Sequence, residues 1–132
     1  MTDVVLYEKD SQAMNLTKII KLASGHLLTQ GMDIDMEING GYCADLMSDV
    51  LAFSQPDSVL ITGLTNPQVV RTAQMAEFRA IIFVRGKQPQ PETLAIAIQE
   101  SIPLITSPFG MFELSGRLHQ AGLPSFESNE SD

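Results

Sequence analysis

The sequence predicts an α/β layered sandwich with a mainly parallel sheet, built from repeated strand–helix units. Three observations carry that prediction. Ser58–Thr62 (SVLIT), Ala80–Val84 (AIIFV) and Ile102–Thr106 (IPLIT) are short, nearly continuous apolar runs, as strands covered on both faces must be. Each run is soon followed by a helix-start signal, at Asn66-Pro67, Pro91 and Pro108, and short strand–helix links imply parallel pairing through right-handed crossovers. Ahead of these units, Met32, Ile34, Met36 and Ile38 alternate with Asp33, Asp35, Glu37 and Asn39. That period of two predicts a strand with one wet face.

Taken in order, residues 1–13 show no periodicity and read as a loose extension, 14–124 as the α/β domain, and the Ser/Asn/acidic residues 125–132 as a disordered tail. Leu16, Ile19, Ile20 and Ala23 recur at helical spacing until Ser24-Gly25 stops the helix. Gly25 to Thr29 is a candidate short strand. The strand ending at Ile38 is expected to enter a tight turn at Gly40-Gly41, since paired glycines commonly supply positive φ. A helix is expected from Asp45 to Phe53, with Leu46, Met47, Val50, Leu51 and Phe53 on its apolar face and Asp45, Ser48 and Asp49 on the other. Asn66 is expected to cap the next helix, with Pro67 at its first position. Ser107 is expected to cap a last helix running from Pro108 to His119. Pro103 suggests an edge strand or an early strand position.

Composition excludes several function classes. The chain has 132 residues, 44% of them hydrophobic and 18% charged, enough for one domain with its own core. No apolar run approaches the roughly 20 residues of a membrane span. The N-terminus has no basic start and apolar core of a secretory signal, which makes the cytoplasm the expected location. A single cysteine, Cys43, allows no internal disulfide, and a small buried hydrophobe is its expected role. Eight basic against 16 acidic residues give a formal charge of −8, without a basic stripe, so nucleic acid is not an expected partner.

The residues expected to carry chemistry lie at the carboxyl ends of the apolar strands, where open parallel sheets hold ligands. They are Thr62, Thr65 and Asn66 after the first strand, Arg85 after the second, and Thr106 and Ser107 after the third. Two of these ends run into helix N-termini, whose free N–H groups suit an anion, and an arginine can fork onto phosphate. Helix capping is the plainer use of Thr65, Asn66 and Ser107. Gly40, Gly41 and Tyr42 could approach a ligand backbone-first, although neither phosphate-loop glycine pattern occurs. Asp45 and Asp49 could hold a divalent cation, but two carboxylates on a helix face more often solvate it. His26, His119 and Cys43 have no metal-ligand spacing, and there is no nucleophile motif.

The wording Gly40-Gly41-Tyr42-x-x-Asp45-Leu46-x-Ser48-Asp49-Val50-Leu51-Ala52, with the late Phe112-Glu113-Leu114-x-Gly116-Arg117-Leu118, resembles that of the DRTGG domain. The counterpart of the five name-giving residues is Glu37-Ile38-Asn39-Gly40-Gly41, in which the two glycines remain. The resemblance spans about residues 14–119. It implies a small α/β module, related in fold to the N-terminal domain of HPr kinase/phosphorylase. Similar modules accompany catalytic domains in phosphotransacetylases and CBS-domain pyrophosphatases, and in the latter adjoin a region regulated by adenine nucleotides. It further implies homodimerisation, with Tyr42, Asp45, Ser48 and Asp49 as interface candidates, and for free-standing members an accessory role beside hydrogenase-type redox genes of anaerobic bacteria.

Three functions follow as expectations. The first is a non-catalytic regulatory module, without a resident cofactor or metal, that senses a small anionic ligand such as an adenine nucleotide at the strand ends. The second is a ligand-free adaptor for a redox or metabolic enzyme. The weakest is a Mg²⁺-dependent enzyme using Asp45 and Asp49.

Overall fold

The computed structural model describes residues 13–126. Its strands are β1 (Met14–Asn15), β2 (His26–Leu27), β3 (Glu37–Ile38), β4 (Gly40–Cys43), β5 (Ser58–Thr62), β6 (Ala80–Phe83) and β7 (Leu104–Thr106). Its helices are α1 (Leu16–Leu22), α2 (Met47–Phe53), α3 (Pro67–Met75), α4 (Pro91–Glu100) and α5 (Met111–Gln120). The main sheet has the order β2-β7-β6-β5-β4, parallel except for β2, and β1 and β3 form a separate antiparallel pair. The α/β sandwich predicted from the three apolar runs is the fold observed.

Each central strand feeds two cores. Val59 and Ile61 of β5, Ile82 of β6 and Ile105 of β7 face one side, packing with Leu16, Ile19, Leu114 and Leu118 of α1 and α5. Leu60, Ile81, Phe83 and Leu104 face the other side, with Val50, Val69, Val70, Ala73 and Ala97 of α2, α3 and α4. All five residues of β5 and all four of β6 are buried, which is why these strands carry no polar alternation.

Several local expectations are corrected. Residues 32–38 do alternate in burial, but only Glu37–Ile38 pairs with a strand, so most of this extended chain has no ladder. Gly40-Gly41 is not a turn: both residues lie in β4, and neither has positive φ. α2 begins at Met47, which leaves Asp45 in the preceding connection and off the helix face shared by Ser48 and Asp49. α5 begins at Met111 with Gly110 at its N-cap, because Ser107–Phe109 form a turn held by Phe109 N donating to Ser107 Oγ at 3.2 Å. β7 is flanked on both sides, so Pro103 marks an early position and not an edge. Ser125 bridges Gly41 in parallel, which brings the first residues of the expected tail onto the sheet edge. Residues 1–12 and 127–132, within the expected extension and tail, lie outside the described residues. Among the described residues no helix is long and apolar enough to cross a membrane.

Candidate functional site

The parallel register places the strand ends. β4 pairs with β5 as Gly40↔Ser58 through Cys43↔Ile61, and β5 with β6 as Val59↔Ala80 through Thr62↔Phe83. The carboxyl end of β5 therefore lies beside the chain that leaves β4 at Ala44-Asp45. Here Asp45 Oδ1 accepts from Thr62 Oγ1 at 2.9 Å and from Gly63 N at 2.7 Å. From the β6 side, Lys87 Nζ donates to Gly63 O at 2.7 Å. A Cβ built on Gly63 would stand 3.5 Å from Lys87 Nζ and 3.6 Å from both Asp45 carboxylate oxygens. Gly63 is thus held between a carboxylate and an ammonium, each on one of its peptide groups.

Lys87 reaches this point because the preceding residues turn back. Arg85 and Gly86 have φ of 57° and 66°. Their amides donate to Phe109 O at 2.8 Å and Ser107 O at 2.7 Å, and Thr106 Oγ1 donates to Lys87 O at 2.8 Å. The side chain of Arg85 is exposed, with no hydrogen bond or ion pair among the described residues. At the next connection, Thr65 O accepts from Gln90 N at 3.2 Å and Thr93 Oγ1 at 2.7 Å. This ties the start of α4 to the residue just before α3, so two helix N-termini adjoin Lys87 and Gly63.

Each residue expected at this site has a definite place. Thr62, Thr106 and Ser107 are buried, and their hydroxyls serve Asp45, Lys87 O and Ala23 O respectively. Asn66 occupies the N-cap position of α3, yet its side chain makes no capping bond, and its buried Oδ1 has no partner among the described residues. Gly40 and Gly41 belong elsewhere. They pair with the beginning of β5, so Gly40 stands four residues, about 13 Å, before the strand end at Thr62. The ring of Tyr42 is buried in the core above α2, with its hydroxyl 3.3 Å from Asp49 O. Tyr42 therefore shares no exposed surface with Asp45, Ser48 and Asp49, because its ring is core. Among the described residues no group of three or more His, Cys, Asp or Glu side chains could hold a metal ion.

Two residues had weak signals in the sequence. Lys87 sits two residues beyond Arg85, and only the left-handed Arg85-Gly86 pair turns it back onto Gly63. Cys43, expected to be buried, is exposed on the edge strand. Ser115 Oγ donates to its sulfur at 3.4 Å. Partial burial pushes its thiol above the usual range, and the Asp45 charge adds to this while Ser115 opposes it.

No protein-family model and no curated protein matches the chain. A solved structure does: the crystal structure of the CBS and DRTGG domains of the regulatory region of Clostridium perfringens pyrophosphatase, complexed with activator, diadenosine tetraphosphate. The match has a TM-score of 0.67 at 17% identity and covers 94% of this chain. The likeness is one of fold. It extends over 56% of that chain, so the present chain spans little more than half of its length. The DRTGG resemblance of the sequence thus meets a related fold, not a family match.

Proposed function

We propose that this chain is a non-catalytic regulatory domain of the DRTGG type that senses a small anionic ligand of the adenine nucleotide class at the carboxyl ends of β5 and β6. The observation that carries this reading is the convergence of Lys87, the starts of α3 and α4, and the unpartnered Oδ1 of Asn66 around one rim. Lys87 gives Gly63 O one of its three N–H donors, the helix starts offer a positive dipole end, and Arg85 is within the same connection. Asp45 already occupies the Gly63 amide, so phosphate belongs on the Lys87 and Arg85 side. Asn66 Oδ1, once uncovered, suits an exocyclic amine. The fold neighbour's complex with an adenine-nucleotide activator supports the ligand class.

The experiment is thermal unfolding against adenine, guanine and uridine nucleotides. Saturation at 100 times Kd adds about 2.7 kcal/mol, a rise of many degrees for a domain of this size. Lys87→Met should remove an adenine-specific rise while the domain stays folded. A flat response to every nucleotide would overturn the reading. The surface favours one second reading, an adaptor in the cytoplasm for a redox or metabolic enzyme, because Leu46, Leu51, Met75, Ile98 and Phe112 are exposed. Recovery of one such enzyme by the purified domain, unaffected by Lys87→Met, would favour it.

A further inference from the structure

Gly63 follows β5 without any need to be a glycine. Its φ is not positive. A Cβ built on it would meet only ordinary contacts, 3.5 Å from Lys87 Nζ and 3.6 Å from each Asp45 carboxylate oxygen. Conformation and packing would therefore accept an alanine here, and the missing methyl group leaves a gap through which a ligand can approach the backbone closely. The surroundings of that gap are polar. The Asp45 carboxylate and the Lys87 ammonium both border it, yet they form no ion pair among the described residues. Each is tied instead to a different peptide group of Gly63, Asp45 Oδ1 accepting from its N–H and Lys87 Nζ donating to its C=O.

Both side chains have bonding capacity left. Asp45 Oδ1 already takes the Thr62 hydroxyl and the Gly63 amide. Its Oδ2 has no hydrogen-bond partner among the described residues, and the residue is exposed. Lys87 donates to Gly63 O and has further N–H donors to spare. A group that fills the gap must then donate to a carboxylate and accept from an ammonium. A phosphate brings negative charge against Asp45, and an aromatic amine donates but accepts poorly. A neutral hydroxyl does both. On a nucleotide the hydroxyls belong to the ribose, between base and phosphate, and the gap lies in the same way between Asn66 and the Lys87-Arg85 side.

We propose that the gap over Gly63 is a ribose subsite, in which Asp45 accepts from a ribose hydroxyl that itself accepts from Lys87, so that the domain separates ribonucleotides from deoxyribonucleotides. The subsite rests on the nucleotide reading above and adds the specificity of that site. The test is isothermal titration of the purified chain with AMP, ADP and ATP, and with the 2′-deoxy and 3′-deoxy form of each. At least one deoxy form should bind about 10-fold more weakly than its parent, the worth of a hydrogen bond to a charged group. Gly63→Ala should fold as the wild type does by circular dichroism and melt no lower, yet lose the preference, because its methyl group takes the place of the hydroxyl. A purely structural role for Asp45 and Lys87 would not produce that split. Equal affinity for ribo and deoxy forms would overturn the ribose subsite and leave the nucleotide reading standing, as would a preference that survives Gly63→Ala. Absence of binding by every adenine nucleotide would overturn both.

Discussion

The ring of Phe126 lies directly against the backbone of Gly40: a Cβ at Gly40 would come within 2.5 Å of the Phe126 Cβ and Cγ atoms. Gly41 completes the seat. Its N–H donates to Pro124 O at 2.9 Å, and Phe126 N donates to Gly41 O at 2.9 Å. The glycine pair therefore exists for close approach of the chain's own C-terminal segment, not for a turn.

Gly40→Ala should accordingly destabilise the domain by about 1–3 kcal/mol, as overpacking of a tight contact does. Chemical denaturation measures this. In a Phe126→Gly background the same substitution should cost clearly less, because the side-chain atoms it meets are gone. Equal costs in the two backgrounds would show that Phe126 is not the obstacle.

Asp45 and Thr62 should be energetically coupled. Asp45→Ala removes the acceptor for both Thr62 Oγ1 and Gly63 N and is expected to cost about 1–2 kcal/mol. Thr62→Val should cost a similar amount alone and less once Asp45 is absent, the remainder reflecting the bond that Leu64 N donates to Thr62 Oγ1. A double-mutant cycle with additive terms would count against the contact.

Arg85 holds a left-handed φ of 57°, which a side chain disfavours by about 1 kcal/mol. Arg85→Gly is expected to raise the unfolding midpoint by a few degrees while weakening nucleotide-induced stabilisation. A variant that binds nucleotide as the wild type does would remove Arg85 from the proposed site.

Cys43 should react slowly with thiol reagents at neutral pH, and its rate profile should lie to the alkaline side of a free thiol. Removing the Ser115 hydroxyl, as Ser115→Ala does, should move the profile further that way, since that contact favours the thiolate. For stability the sign follows from the raised folded value. The preference for neutral Cys43 contributes fully below the ordinary thiol range and is lost as pH rises from there through the raised folded value. Urea midpoints of wild type and Cys43→Ser, compared at neutral and alkaline pH, should differ in that direction.

How much was legible in advance depended on whether a residue's role was set by its neighbours in sequence. Continuous apolar runs had to become buried strands, and Pro67 and Pro91 had to open helices, because burial and proline geometry act locally. These fixed the layers, the parallel sheet and the two core faces. Alternation at residues 32–38 predicts a strand with one wet face; the burial does alternate, but a ladder needs a partner strand, and β1 pairs only with Glu37–Ile38. The rest was decided by residues far apart in sequence. Gly40-Gly41 has its role from Phe126, Asp45 from Thr62 and Gly63, and Lys87 from Gly63. Local propensity describes one chain segment at a time. Hydrogen bonds and close approaches between segments exist only once the sheet register has brought their ends together.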